Sequence, residues 1–243
     1  MQSKILLLGF IIMLLQGCKH NKNKQLPAQQ VNITKKKPLD TVVKKDTSLI
    51  KYTDKVLEDL SDSEFVQLSR IDTTFYYDMK YATEDNFLKE KVYDCANCLL
   101  SYQTVKQLIK ANNDFKKAGY RIKFFDCYRP LSIQKKMWKI FPDKRYVADP
   151  NKGSNHNRGT AVDITLVDSL GNELAMGTAF DHFGKEAHHA YQKLPEDVLS
   201  NRKFLKNIME ANGFWSITSE WWHYNLNQSY KYEVSDFKTE CDN

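Results

Sequence analysis

Two stretches of the 243-residue chain carry side chains whose types and spacing suit metal chemistry. One is Ser154-Asn155-His156-Asn157-Arg158-Gly159-Thr160-Ala161-Val162-Asp163; the other is Glu220-Trp221-Trp222-His223. A catalytic zinc takes three protein ligands, from imidazole nitrogen and carboxylate oxygen, and keeps a fourth position open. His156, Asp163 and His223 would supply that set. Gly159, between the first two, would let the backbone turn so that both face one ion. Glu220 places a carboxylate where it could take a proton from water beside a metal without ligating it. Residues three apart in a regular strand face opposite sides, so Glu220 and His223 can share a site only across a twist, a bulge or a strand end. Spacing alone leaves other roles open: a loop histidine, a turn or capping aspartate and two core tryptophans fit the same residues.

The elements that must position these groups are readable from periodicity. Thr104 to Lys117 predicts a helix with Val105, Leu108, Ile109 and Phe115 on one face and Gly119 ending it. Tyr120 to Asp126 predicts a short strand, followed by a turn at Tyr128-Arg129-Pro130 and a helix over Ser132 to Phe141 whose Met137-Trp138 pair packs in the core. Ala161 to Val167 alternates as a strand does, Val198 to Asn212 reads as a late helix closed by Gly213, and Glu220 to Leu226 as an aromatic-rich closing strand. Helices and strands mix without regular βαβ alternation, so the fold class expected is α+β: one domain, a mainly antiparallel sheet and flanking helices, with the metal site at the sheet.

Charge narrows the partners. The formal net charge is +6, yet residues 1–55 hold eleven Lys against three Asp, while 56–243 hold 25 basic and 27 acidic residues. The basicity belongs to the N-terminal segment, so no nucleic-acid footprint is expected on the domain. Lys4 followed by the apolar run Ile5 to Leu15, broken only by Gly9, is too short to span a bilayer but suits a secretory signal. Leu15-Gln16-Gly17-Cys18 resembles a bacterial lipoprotein processing site, which implies cleavage before Cys18 and a lipid on its thiol. The organisation expected is a signal peptide over 1–17, a lipidated Cys18 with a flexible Lys-rich tether over 18–55, and the catalytic domain over 56–243. Export puts Cys95, Cys98, Cys127 and Cys241 in an oxidising compartment, where an even number suggests disulfides, with free thiols or half a structural zinc site at Cys95-x-x-Cys98 as alternatives; three disulfide pairings are possible and the sequence does not choose among them.

Ser154-x-His156-x-x-Gly159-x-Ala161-x-Asp163 together with Glu220-x-x-His223 resembles the metal signature of the zinc D,D-peptidase superfamily, which includes D-alanyl-D-alanine carboxypeptidases and the VanX-type D-alanyl-D-alanine dipeptidases. Tyr81-Ala82-Thr83-Glu84-Asp85-Asn86-Phe87, Asp126-Cys127-Tyr128-Arg129-Pro130, Met176-Gly177-Thr178-Ala179-Phe180-Asp181 and His188-His189 are similar to the dipeptidase branch in order and spacing. The resemblance spans roughly residues 65–228. It implies one Zn²⁺ held by His156, Asp163 and His223, Glu220 as catalytic acid/base, and Arg129 facing the developing oxyanion. Tyr81, Asp126, Ser154 and Asp181 fall at positions that shape the substrate pocket, Asp181 toward the substrate's free amino group or the polar framework of the site. His188 and His189 are read as structural.

The implied function is zinc-dependent hydrolysis of D-alanyl-D-alanine or related short D-amino-acid dipeptides in cell-wall metabolism, with a membrane partner through the lipid. A D,D- or L,D-carboxypeptidase trimming peptidoglycan stem peptides is the alternative within enzymes, and would need an open cleft rather than an acidic amino pocket. A non-catalytic cell-wall-binding lipoprotein on the same fold would lack a ligand, the base or the arginine, whereas His156, Asp163, His223, Glu220 and Arg129 are all present. The best-known dipeptidases of this kind carry no lipoprotein signal and act in the cytoplasm, so an exported version implies scavenging or remodelling of wall-derived fragments. Cys18→Ser should move the protein from the membrane to the soluble fraction on fractionation; unchanged membrane retention would contradict the anchor.

Overall fold

The computed structural model describes residues 54–238 and Cys241. The signal peptide, Cys18 and nearly all of the tether lie outside the described residues, and no described helix is long and apolar enough to cross a membrane.

A short helix α1 (Asp54–Asp59) leads into β1 (Phe65–Gln67) and β2 (Tyr76–Tyr77). Then come β3 (Leu99–Ser101), α2 (Tyr102–Lys117), β4 (Arg121–Asp126) and α3 (Leu131–Ile140). The chain closes through β5 (Ala161–Val167), α4 (Glu196–Ala211), β6 (Phe214–Ser216) and β7 (His223–Leu226). Five strands form one sheet in the order β2-β4-β5-β7-β6, antiparallel except where β2 runs parallel to β4; β1 and β3 pair antiparallel as a separate ribbon. This is the α+β arrangement the pattern predicts.

The two long helices cover one face of the sheet because their apolar residues recur every three or four positions. α2 buries Val105, Leu108, Ala111 and Phe115, and α4 buries Val198, Leu205 and Met209. All of these but Val198 join Ile122, Phe124, Val162, Ile164 and Leu166 in the main core. A second apolar cluster gathers Tyr81, Leu88, Val92, Tyr93 and Val147 around Met137, with Trp138 packed at its margin. Asn112 is buried on α2 because its amide is satisfied at both ends: Oδ1 accepts from Ile122 N, and Nδ2 donates to Thr74. The helix begins at Tyr102, two residues before the start expected from periodicity.

β5 is buried along its whole length, so its alternation has a meaning different from solvent against core. Val162, Ile164 and Leu166 point into the helical core, and by the two-residue strand period Ala161, Asp163 and Thr165 point to the opposite face. That opposite face carries the polar cluster. The closing strand is also shorter than expected: Trp221 and Trp222 form a turn, and the ladder begins at His223. Glu220 therefore lies just outside the strand end, which is the condition under which it can share a site with His223.

Disulfides join Cys98 to Cys127 and Cys95 to Cys241. The second ties down a C-terminal strap that runs past the Arg129 turn. In that strap Ser235 N donates to Asn157 O, Ser235 O accepts from Leu131 N, and Phe237 stacks on Phe65.

Gly159 adopts φ +65°, and a Cβ there would meet Phe65 Cε1 at 2.5 Å and the backbone nitrogen of Ser101 at 2.8 Å. Both the left-handed backbone and the close approach of β3 exclude a side chain. Gly159→Ala should destabilise the fold by about 2–4 kcal/mol, combining backbone strain with overpacking. A urea unfolding midpoint unchanged from wild type would contradict this.

Candidate metal centre and active-site cavity

The cluster is assembled by strand register. Asp163 on β5 lies opposite Asp126 on β4 and opposite His223 on β7, so three polar side chains stand side by side across neighbouring strands. On the β4 side the pairing holds only because of a bulge: Phe124 opposes Ile164, and Asp126 rather than Phe125 opposes Asp163. One inserted residue re-aims the strand end and brings Asp126 to the polar face. His156 enters from a single helical turn, 156–158, that Gly159 closes.

His156 Nε2 lies 3.3 Å from His223 Nδ1 and 3.4 Å from Asp163 Oδ2, and His223 Nδ1 lies 2.9 Å from Asp163 Oδ1. Zinc bonds to nitrogen and oxygen are ~2.0–2.2 Å, so ligand atoms of a tetrahedral site stand roughly 3.3–3.5 Å apart. The two distances from His156 match that edge length, while His223 and Asp163 stand at hydrogen-bond distance; the donor chemistry, two imidazoles and one carboxylate, is that of a catalytic zinc site with an open position. His156, Asp163 and His223 are the one group of three or more such residues, among those described, close enough to hold an ion.

Each imidazole is oriented from behind, as metal-ligating histidines require. His156 Nδ1 sits 2.7 Å from the backbone carbonyl of Cys127, which can only accept, so this nitrogen carries the proton and Nε2 is free to ligate. His223 Nε2 donates to Asn225 Oδ1 at 3.0 Å, which in turn accepts from Asn155 Nδ2 at 2.8 Å. Asn225 is absent from the residues singled out in the sequence, although its place two residues after His223 on the same strand face is the signal that could have found it. Asp163 is held well below the usual carboxylate range: burial alone would raise it, but the imidazoles of His156 and His223 outweigh that effect.

Glu220 Oε2 stands 3.9 Å from His223 Nδ1, beside the donor set but outside it. Burial lifts its carboxyl above the ordinary range against the pull of His223, which suits a group that must take up and return a proton. Arg129 is buried; Nη2 donates to Asp126 Oδ2 at 2.6 Å and Nη1 to Gln134 Oε1 at 2.9 Å, while Nε has no protein partner. Burial works against its charge, and the Asp126 carboxylate holds it. Tyr93 OH also donates to Asp126, at 2.7 Å.

Tyr81, Arg129, Ser154, His156, Asp163, Asp181, Glu220 and His223 line a common cavity of about 220 Å³. Asp126 does not line it; this residue lies fully buried behind Arg129 and braces it. Asp181 adopts φ +58°, an uncommon conformation for a side-chain-bearing residue, and both its oxygens accept from Tyr81 OH at 3.2 and 3.0 Å. Burial and the nearby Asp163 charge push its carboxyl well above the ordinary range. Its loop is clamped from α4, where Arg202 donates from Nε to Met176 O at 2.7 Å and from Nη1 to Glu186 O at 2.9 Å, and from the turn before β7, where Trp221 donates to Thr178 Oγ1 at 2.8 Å. Sequence reasoning missed Arg202, since a lone helical arginine carries no local signal of what it ties together. His188 and His189 stand apart from the donor set, His189 half-buried and lowered to about 4 by that burial.

A His₂Asp donor set beside a separate carboxylate and a buried guanidinium, carried on a helix-backed sheet, defines a metallohydrolase. Over residues 61–240 the chain matches the family described as D-ala-D-ala dipeptidase, Peptidase_M15, and it belongs to that family. It is 37% identical over 183 residues to a D-alanyl-D-alanine dipeptidase of Escherichia coli, covering 75% of this chain and 95% of that relative. Proteins of the same description from Enterococcus faecium and Enterococcus faecalis are each 32% identical, over 66% and 62% of this chain and 91% and 85% of their own lengths.

The Asp163 hydrogen bond and charge raise His223 to about 9 against the opposing effect of burial. A ligating nitrogen must be unprotonated, so zinc uptake at pH 7 should release a proton and affinity should fall as pH falls. Calorimetric titration in two buffers of different ionisation enthalpy should give different heats; equal heats would contradict this.

Proposed function

We propose that this chain hydrolyses D-alanyl-D-alanine, or a closely related short D-amino-acid dipeptide, in a zinc-dependent reaction. The observation that carries the reading is the fixed distribution of charge along one cavity. Asp181, backed by Tyr81, lines that cavity together with the donor set, Glu220 and Arg129.

Zinc held by His156, Asp163 and His223 would supply Lewis acidity toward the scissile carbonyl and toward the attacking water. Glu220 takes the proton from that water and returns it to the leaving nitrogen, one group serving as base and then acid. Arg129, fixed by Asp126 and Gln134, presents a permanent charge to the oxygen on which negative charge develops, with no reorganisation needed at that moment. Asp181 and Tyr81 receive the substrate's ammonium, and the arriving charge stabilises the carboxylate form that burial disfavours. An amino group must lie near this pocket, so the enzyme acts on substrates with a free N-terminus. A stem-peptide carboxypeptidase would have to bury a neutral amide against Asp181 instead, leaving its carboxylate without a countercharge. Ser154 lines the same space, its Oγ accepting from His156 N at 3.2 Å.

The setting of this activity is also a proposal. The Ile5–Leu15 run and Cys18 support export as a membrane-anchored lipoprotein facing the periplasm or cell exterior, and two disulfides among the described cysteines fit an oxidising compartment. The reaction would then serve turnover of wall-derived fragments.

Free D-Ala-D-Ala should be hydrolysed and its N-acetylated form should not, and Glu220→Ala should lower kcat by about 10²–10⁴-fold, the usual worth of a general acid–base group. Hydrolysis of the blocked peptide in preference to the free one would favour the carboxypeptidase. A fully active Glu220→Ala would remove that residue from the chemistry.

A further inference from the structure

The Cys98–Cys127 bond lies where β4 ends beside the metal cluster. Cys127 follows the last residue of β4, and its carbonyl is the group that orients His156, accepting from Nδ1 at 2.7 Å. The segment after it is woven into the same site. Cys127 N donates to Asp126 Oδ1 at 2.9 Å, and Arg129 N donates to His156 O at 3.1 Å. Asn157 Nδ2 donates to Arg129 O at 2.7 Å. The orientation of one ligand and the placement of the buried arginine thus both depend on where residues 126–129 sit.

Cys98 fixes that place. It immediately precedes β3, and its carbonyl accepts from Leu68 N at 3.0 Å; the next residue, Leu99, accepts from Tyr128 N at 3.0 Å. The bond spans 29 positions, enclosing α2 and β4, and joins the start of β3 to the end of β4. Both sulfurs are buried. The other disulfide, Cys95–Cys241, instead holds the C-terminal strap, whose Ser235 bonds Leu131 and Asn157 rather than Cys127 or His156.

We propose that the Cys98–Cys127 disulfide is a positioning element of the metal centre, setting the Cys127 carbonyl against His156, so that full zinc affinity is reached only in the oxidised chain. This rests on the metal reading given above. Oxidation removes two electrons and two protons from the two thiols and passes them to a disulfide-class oxidant, which becomes a dithiol. Metal loading is thereby coupled to arrival in an oxidising compartment.

The test is a chelator-competition measurement of zinc affinity on the purified full chain, with apo-protein unfolding and the cobalt(II) absorption spectrum recorded alongside. C98A/C127A should weaken zinc by about 10–100-fold, the range seen when groups orienting a ligand are removed. It should also alter the cobalt spectrum, while C95A/C241A matches wild type in both. A C98A/C127A variant that is less stable but binds zinc as wild type does would make the bond merely structural and overturn the proposal. If that variant does not fold, the same titration on C95A/C241A reduced with a phosphine reads the same quantity, and an unchanged dissociation constant overturns it. Failure of oxidised wild type to bind zinc would instead remove the metal reading itself.

Discussion

The structure depends on one register: β4, β5 and β7 pair so that Asp126, Asp163 and His223 fall in a row on the same face of the sheet. A one-residue slip of β5 would turn Asp163 to the helical core and break the row. The opposite face prevents that slip, because Val162, Ile164 and Leu166 are locked into the apolar layer formed by α2 and α4. The hydrophobic core and the metal site are therefore two faces of the same constraint. Burial on one side fixes which residues can meet on the other.

From that row the remaining groups are set by short-range devices. Gly159 reverses the chain so that His156 meets Asp163, and the bulge at Phe125 brings Asp126 behind Arg129. The turn at Trp221-Trp222 delays the start of β7 to His223, so that Glu220 comes within 3.9 Å of it. Burial then gives each charge its character. Asp163 stays ionised between two imidazoles, Glu220 is lifted toward a proton-accepting role, and Arg129 is kept charged by Asp126. Asp181 is left poorly served by its surroundings until a cation arrives.

Much of this was legible in the sequence because it is local. His156, Gly159 and Asp163 lie within eight positions, Glu220 and His223 within four, and β5 runs over the residues its alternation predicts. What was not legible depends on contacts between distant segments. The disulfide pairing, the parallel β2–β4 contact, the β1–β3 ribbon, and Arg202 reaching across to the Asp181 loop all require the folded chain. Asp126 shows the limit most clearly. Its motif matched a pocket-shaping position, but only the bulge and the fully buried ion pair reveal that it acts through Arg129.

The central claim is that His156, Asp163 and His223 hold a zinc on which peptide hydrolysis depends. Elemental analysis of the purified full chain, paired with D-Ala-D-Ala hydrolysis before chelation, after chelation and after zinc is returned, tests it most directly. About one zinc per chain, with activity lost and regained in step with the metal, is the result predicted from a single donor set. Dipeptide hydrolysis that persists in fully metal-depleted protein would contradict it.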